Sequence, residues 1–265
     1  MKDSILSYLP AEYPWADRIH WFDSIDSTND RLKRMAAQGA PQGTVLIADH
    51  QTGGRGRRGR SFHSPEGMGI YMSMLLRPEC PPGELMHLTC AAAVAMCDAV
   101  EDAAGIRPGI KWTNDLVWEK RKLAGILTEL VLDPKGRVSG AIIGIGINCC
   151  QQHEDFPEEI RGIAGSLASV TGKQPDRARV AAATMEALWQ MDGALLSDKA
   201  HILNRYRSDC MTLGREISLH RGDEIRHGKA LDIDSQGALI VEFTDGTVEL
   251  VSSGEVSVRG MYGYL

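Results

Sequence analysis

Three apolar runs decide how this chain folds: IKWTNDLVW at residues 110–118, LAGILTELVL at 123–132 and VSGAIIGIGINC at 138–149. Charged residues or turn signals such as Asp133-Pro134-Lys135-Gly136 separate them, so they read as neighbouring strands of a sheet. Upstream, Gly69 to Arg77 reads as a strand and Thr44 to Asp49 as a short buried one. Between Ser27 and Gln38 the pattern is helical: Ser27 can cap, Asp30 follows three residues on as in a capping box, and Gly39 stops the helix. Glu84 to Ala104 is an alanine-rich apolar helix ending at Gly105, expected to be buried on more than one side. Downstream, Arg177 to Leu196 has helical spacing.

Beyond Tyr206 the texture changes to short β-rich runs, Glu216 to His220, Gly228 to Ile233, Ala238 to Phe243, Thr247 to Val251 and Glu255 to Arg259. Gln236-Gly237 and Asp245-Gly246 punctuate them. The expectation is a mixed α+β domain over residues 1–210 followed by a small β-barrel over 211–265.

With 265 residues and 43% hydrophobic content the chain can bury a real core. A net charge of -6 argues against general nucleic-acid binding, which draws on a surplus of Lys and Arg. The six cysteines form no C-x-x-C pair and several lie in apolar stretches, which points to a reduced, cytoplasmic protein without structural zinc. Met1 to Trp15 lacks the basic and apolar regions of a signal peptide, and nowhere do about 18 apolar residues run together, so no membrane segment is expected.

Between two of the strands lies Gly53-Gly54-Arg55-Gly56-Arg57-Arg58-Gly59-Arg60. Glycine lets backbone approach a ligand closely and arginine offers fork-like donors to anionic oxygens, so a phosphate or carboxylate is the natural partner. Without that ligand four like charges repel, and the loop should be mobile. Gly54, Gly56 and Gly59 satisfy G-x-G-x-x-G, but Pro65, Gly67 and Gly69 forbid the helix that a dinucleotide fingerprint requires. A solvated basic loop or an RNA-contacting segment is the competing reading of this run alone.

Lys111-Trp112-Thr113-Asn114-Asp115 and Lys122-Leu123-Ala124-Gly125-Ile126-Leu127 place two lysines, an amide and a carboxylate at the ends of adjacent strands. Charged groups among apolar strands are costly unless paired or used. A plain ion pair of Asp115 with Lys111 or Lys122 would explain either motif singly; both together favour a site. In Gly144-Ile145-Gly146-Ile147-Asn148 the glycines permit close approach, and Asn148 is placed to hydrogen-bond a base or ribose.

In order, Asp26-Ser27-Thr28-Asn29, Gln51 to Arg60, Lys111 to Asp115, Lys122 to Leu127 and Gly144 to Asn148 resemble the five motifs of biotin protein ligases. The β-rich tail from about Thr212 looks like that family's SH3-like C-terminal domain, so the resemblance covers nearly the whole chain. It implies a class II aminoacyl-tRNA synthetase-like catalytic domain, a mixed sheet flanked by helices. Ser27, Thr28, Asn29, Gln51, Gly54, Arg55, Arg57, Lys122 and Gly125 would bind biotin. Arg57, Arg58, Arg60, Phe62, Lys111, Asn114 and Asn148 would bind ATP. Asp115 would serve Mg²⁺, and Lys122, Arg57 and Lys111 would carry the catalysis.

Two departures stand out. Phe62 occupies the place of a tryptophan that packs on adenine in the best-known bacterial relative, offering less area and no N–H. Thr113 replaces the proline usual in Lys-Trp-Pro-Asn-Asp. Regulatory members also carry an N-terminal winged helix-turn-helix, whereas about 25 residues precede the first motif here, so no DNA binding is expected. The resemblance implies ATP-dependent formation of biotinyl-5′-AMP and transfer to a lysine of a biotin carboxyl carrier protein of acetyl-CoA carboxylase or a related carboxylase. Monomer and homodimer both stay open. A lipoate ligase, sharing fold and adenylate chemistry, is the alternative enzyme, and an RNA-binding module using residues 53–60 the alternative of another class.

Overall fold

The computed structural model describes residues 1–252 and 257–260. Helix α1 (Lys2–Tyr8) leads to strand β1 (Ile19–Ile25), helix α2 (Thr28–Ala37) and strands β2 (Val45–Gln51) and β3 (Gly69–Leu76). Helix α3 (Leu88–Ala104) precedes β4 (Gly109–Lys111), β5 (Asp115–Trp118), β6 (Arg121–Leu132) and β7 (Val138–Asn148). Then come α4 (Glu158–Arg161), α5 (Leu167–Thr171), α6 (Arg177–Ala194) and α7 (Lys199–Asp209). The chain continues with β8 (Glu216–Arg221), β9 (Glu224–Ile233), β10 (Leu239–Phe243), β11 (Val248–Val251) and β12 (Ser257–Gly260).

Strands β1 to β7 form one mixed sheet in the order β1-β2-β3-β7-β6-β5-β4. Only the β1–β2 pairing is parallel among the described residues. Alternation along the strands sends side chains to two layers. Leu46, Leu75 and Ile142 meet Leu32 and Ala36 of α2 on one face. Val45, Ile47, Met74, Leu76 and Ile143 join the larger core beneath α3 and α6 on the other. The small residues Ala91, Ala92 and Ala95 of α3 and Ala181 and Ala182 of α6 are buried and let these helices approach closely. By length and composition Pro82–Ala104 could cross a membrane, but it is mostly buried as the core helix of this layer.

Local signals account for several boundaries. Ser27 caps α2 by accepting the Asp30 N–H at 3.4 Å, while the Asp30 side chain turns to Arg55 rather than completing the expected capping box. Gly105, at φ 72°, closes α3 by donating its N–H to Glu101. Pro82–Leu85 form a 3₁₀ turn, so α3 starts later than the Glu84 expected. Residues 110–118 are not one strand: β4 and β5 pair as a hairpin, Lys111 opposite Asp115, around a turn at Trp112–Asn114 in which the Trp112–Thr113 peptide is cis. Helices α1 and α7 were not expected from the sequence.

The C-terminal unit is a separate antiparallel sheet in the order β11-β10-β9-β8-β12. Ile217, Leu219, Ala230, Ile233, Leu239, Val241, Phe243 and Val251 are buried apolar residues of its strands. Of the expected run Glu255 to Arg259, Glu255 and Val256 lie outside the described residues, and Ser257–Gly260 form β12. The sheet leans on the first domain through Trp112, whose backbone N–H donates to Thr212 Oγ1 at 2.9 Å and whose ring N–H donates to the Gly237 carbonyl at 3.1 Å.

Candidate active site

Strands β6 and β7 meet where both carry glycine: Gly125 faces Gly146 and Leu127 faces Gly144. A methyl group at Gly144 would lie 2.0 Å from Asn29 Oδ1, and one at Gly146 would lie 2.5 Å from the Phe62 ring. The glycines that the sequence suggested for close approach therefore make room for two of the chain's own side chains. Above this floor is a cavity of about 150 Å³, walled by the start of α2, the Gly/Arg loop and the β4–β5 turn.

One end of the cavity is a buried polar network. Gln51 Oε1 accepts from the Thr28 N–H at 2.9 Å and from Thr28 Oγ1 at 3.1 Å, while Gln51 Nε2 donates to Ser64 Oγ at 3.0 Å. Ser73 Oγ lies 2.8 Å from Thr28 Oγ1 and 2.5 Å from Asn29 Oδ1, with its one hydrogen shared between them. Buried polar groups tied this way hold fixed orientations, which suits recognition of a ligand by matched donors and acceptors.

The Gly/Arg loop folds on itself. The Phe62 N–H donates to Gly54 at 2.9 Å, the Gly56 N–H donates to Arg60 at 2.7 Å, and Arg55 bridges to Ser61. A side chain at Gly54 would meet the Phe62 carbonyl at 2.5 Å, so glycine is required there by the loop itself. At the tip, Arg58 and Gly59 take positive φ, 58° and 72°. Like-charge repulsion among the arginines is offset at the loop's start, because Arg55 pairs with Asp30 and lies 3.4 Å from Glu129 Oε2. Burial raises the Glu129 carboxyl's pKa, but the Asn29 amide, Arg55 and Lys33 outweigh that and hold it below the usual glutamate range. Arg57 reaches across to Asn114, its Nη1 donating to Oδ1 at 2.7 Å.

At the other end, Lys122 Nζ lies 2.6 Å from Asp115 Oδ1. Lys111, 8% exposed, faces Asp115 across the β4–β5 hairpin. Asn114 is itself fixed, donating to the Ile126 carbonyl at 2.9 Å. Lysines and arginines so held can neutralise an anion without reorganising.

Of the residues expected from sequence, Ser27, Thr28, Asn29, Gln51, Arg55, Arg57, Arg58, Arg60, Phe62, Lys111, Asn114, Asp115, Lys122 and Gly125 all line this cavity. Two do not. Gly54 is a loop residue packed against the Phe62 carbonyl and Ser64 rather than on the cavity wall, and the Asn148 amide donates to the Gly165 carbonyl at 2.9 Å, tying down the segment after β7. Sequence reading missed Ser64, Ser73 and Glu129, and gave Trp112, though part of a motif, no role. A glutamate in the interior of an apolar strand and a serine in the fully buried strand β3 were the available signals. Among the described residues, no three His, Cys, Asp or Glu side chains cluster to hold a metal, and Asp115 is the acidic residue lining the cavity.

Known proteins share this architecture. The model of the biotin/lipoate A/B protein ligase family matches residues 21–148, and that of the biotin protein ligase C-terminal domain matches residues 212–259. The bifunctional ligase/repressor BirA of Bacillus spizizenii is 39% identical over 235 residues, which cover 87% of this chain and 71% of that protein. The biotin–[acetyl-CoA-carboxylase] ligase of Mycobacterium tuberculosis is 35% identical over 236 residues, covering 87% and 85%. A solved biotin protein ligase from Aquifex aeolicus, in complex with biotin and ATP, matches with a TM-score of 0.78 at 32% identity, covering 92% of this chain and 99% of that one.

Proposed function

The chain belongs to the biotin protein ligase family, an ATP-dependent enzyme that transfers biotin to a lysine of a carrier protein, and from this premise we infer how its residues divide the work. The observation that carries the division is that one cavity joins a neutral, hydrogen-bonded polar network at Thr28 and Gln51 to a cluster of cations at Lys111, Lys122 and Arg57. A ligand with a polar ring at one end and a carboxylate at the other fits that gradient.

Biotin's ring is assigned to Ser27, Thr28, Asn29, Gln51 and Arg55, with Gly54 shaping the loop and Gly125 leaving room beside Lys122. The carboxylate attacks the α-phosphate of ATP, pyrophosphate leaves, and biotinyl-5′-AMP results. Lysine then attacks the acyl carbon and AMP leaves. Charge gathers on phosphate oxygens in the first step and on the acyl oxygen in the second, and Lys122 is the cation proposed to meet both. Lys111, Arg57, Arg58, Arg60 and Asn114 take the nucleotide, and Phe62 packs against its base. Asn148 supports the nucleotide end through the segment it holds rather than by contact.

Asp115 supplies one carboxylate, which suits a Mg²⁺ ligated mainly by phosphate oxygens and water and would not suffice for a cage built by protein alone. Bound there, Mg²⁺ would neutralise charge on the phosphates. The proposal extends to a class II synthetase-like catalytic domain over 1–210 and an SH3-like barrel over 211–265. The matches at 21–148 and 212–259 support that boundary. The acceptor is proposed to be the biotin carboxyl carrier protein of acetyl-CoA carboxylase or a related carboxylase, which the name of the mycobacterial relative supports, and the location proposed is the cytoplasm.

Pyrophosphate exchange into ATP tests the assignment. It is expected with biotin and Mg²⁺, and not with lipoate. Exchange supported equally by lipoate would overturn the biotin assignment of the polar network.

A further inference from the structure

Glu129 stands on β6 two residues beyond Leu127, and no role assigned above uses it. Its side chain is 17% exposed, and it gathers three donors from two segments. Asn29 Nδ2 donates to Glu129 Oε2 at 3.1 Å, Lys33 Nζ donates to Oε1 at 3.3 Å, and Arg55 Nη1 lies 3.4 Å from Oε2. Asn29 also donates to the Leu127 carbonyl at 3.2 Å and presents Oδ1 to Ser73. A reversed amide would set its carbonyl oxygen against two acceptors, so Glu129, with the Leu127 carbonyl and Ser73, fixes which way Asn29 faces. Arg55 has a second tie in Asp30 at the start of α2.

We propose that Glu129 is a positioning residue of the biotin end of the cavity: it orients the Asn29 amide and, together with Asp30, tethers Arg55, so that the root of the Gly/Arg loop is docked before a ligand arrives. The inference rests on the assignment of Asn29 and Arg55 to biotin. A partly buried carboxylate in a strand persists only with such partners. The sequence places that carboxylate 100 residues from Asn29 and 74 from Arg55.

Biotin-dependent pyrophosphate exchange and thermal melting of Glu129→Gln, Asn29→Ala, Arg55→Met and the double variant Glu129→Gln/Arg55→Met test it. Glutamine keeps the volume and an oxygen for Asn29 but removes the charge. Glu129→Gln is expected to raise KM for biotin about tenfold, with KM for ATP and the melting temperature close to the parent. In the Arg55→Met background the same change should leave KM for biotin close to that of Arg55→Met alone, because glutamine still offers an oxygen to Asn29 and the arginine that needed the charge is gone. Asp30→Asn, at a more exposed position, should raise KM for biotin by about threefold. An unchanged KM for biotin in Glu129→Gln, while Asn29→Ala and Arg55→Met both raise it, overturns the positioning role alone. An unchanged KM in Asn29→Ala and Arg55→Met overturns the biotin assignment and this inference with it. A loss shared equally by KM for ATP and melting temperature means that Glu129 only holds the fold, which also overturns it.

Discussion

Lys122 Nζ rests 2.6 Å from the Asp115 carboxylate, with 26% and 17% of the two side chains exposed, at the cationic end of the cavity. The pair gives the lysine a fixed place at the end of the cavity proposed to take the carboxylate and the α-phosphate. Lys122→Ala is expected to lose roughly 3 kcal/mol of transition-state stabilisation, about a hundredfold or more in adenylation. It also strands Asp115 without this cation, so the melting temperature should fall modestly. Near-parental biotin-dependent pyrophosphate exchange by a folded Lys122→Ala protein would remove Lys122 from the reaction.

Gly144 offers a test of the glycine floor. A methyl group there would lie 2.0 Å from Asn29 Oδ1, so α2 or the Asn29 side chain must move. Gly144→Ala is expected to cost about 1–3 kcal/mol of stability, as overpacking does, and to weaken biotin binding more than ATP binding. Urea denaturation and the two KM values measure this. Parental values for all three would show that Asn29 has room to spare.

His87 gives stability a pH dependence of known sign. It sits at the start of α3 with no exposure, its Nε2 donating to the Leu195 carbonyl at 2.9 Å. Burial, helped by the Lys199 charge, pushes its pKa below that of a free histidine, only partly opposed by backbone hydrogen bonding at Leu195 and Glu84. The unfolded chain therefore binds a proton first, so stability is full above about pH 6.5 and falls as the pH drops toward the folded-state value. Denaturation from about pH 7.5 to about pH 5.5 should show that decline in the parent and a flatter line in His87→Gln. Equal slopes would mean that His87 titrates normally in the fold.

How far the sequence could be read follows from the range of each interaction. Run 138–149 read correctly as a strand because burial on both faces makes it almost continuously apolar, and 123–132, only partly buried and interrupted by Thr128 and Glu129, read correctly because its branched apolar residues end at the Asp133–Gly136 turn. The same texture misled at 110–118, where a hairpin turn formed by Trp112, Thr113 and Asn114 contains neither glycine nor proline. Helix α7 escaped notice because only Ile202, Leu203 and Tyr206 are buried in a polar segment. The cavity residues were legible as motifs, since their chemistry is written in residue type. Side-chain direction was not: nothing near Asn148 announces that its amide turns to Gly165, and nothing near Glu129 announces Asn29.

Arg57 carries the last prediction. Its guanidinium donates to Asn114 Oδ1 at 2.7 Å, and Asn114 is anchored to the Ile126 carbonyl, so this contact joins the middle of the Gly/Arg loop to the β4–β5 turn across the cavity. Loop ordering is opposed by the entropy of a glycine-rich segment and by repulsion among Arg57, Arg58 and Arg60. Removing the cross-cavity contact and an anion donor together should favour the open loop. Arg57→Gly is therefore expected to form biotinyl-5′-AMP but release it, so that the mixed anhydride acylates exposed lysines on bystander proteins. Asn114→Ala keeps the arginine and loses only its anchor, and should show the same leak to a smaller extent. Adenylate off-rates and bystander biotinylation, measured side by side for both variants, check this. If Arg57→Gly retains the adenylate as long as the parent does, the loop does not close through Arg57.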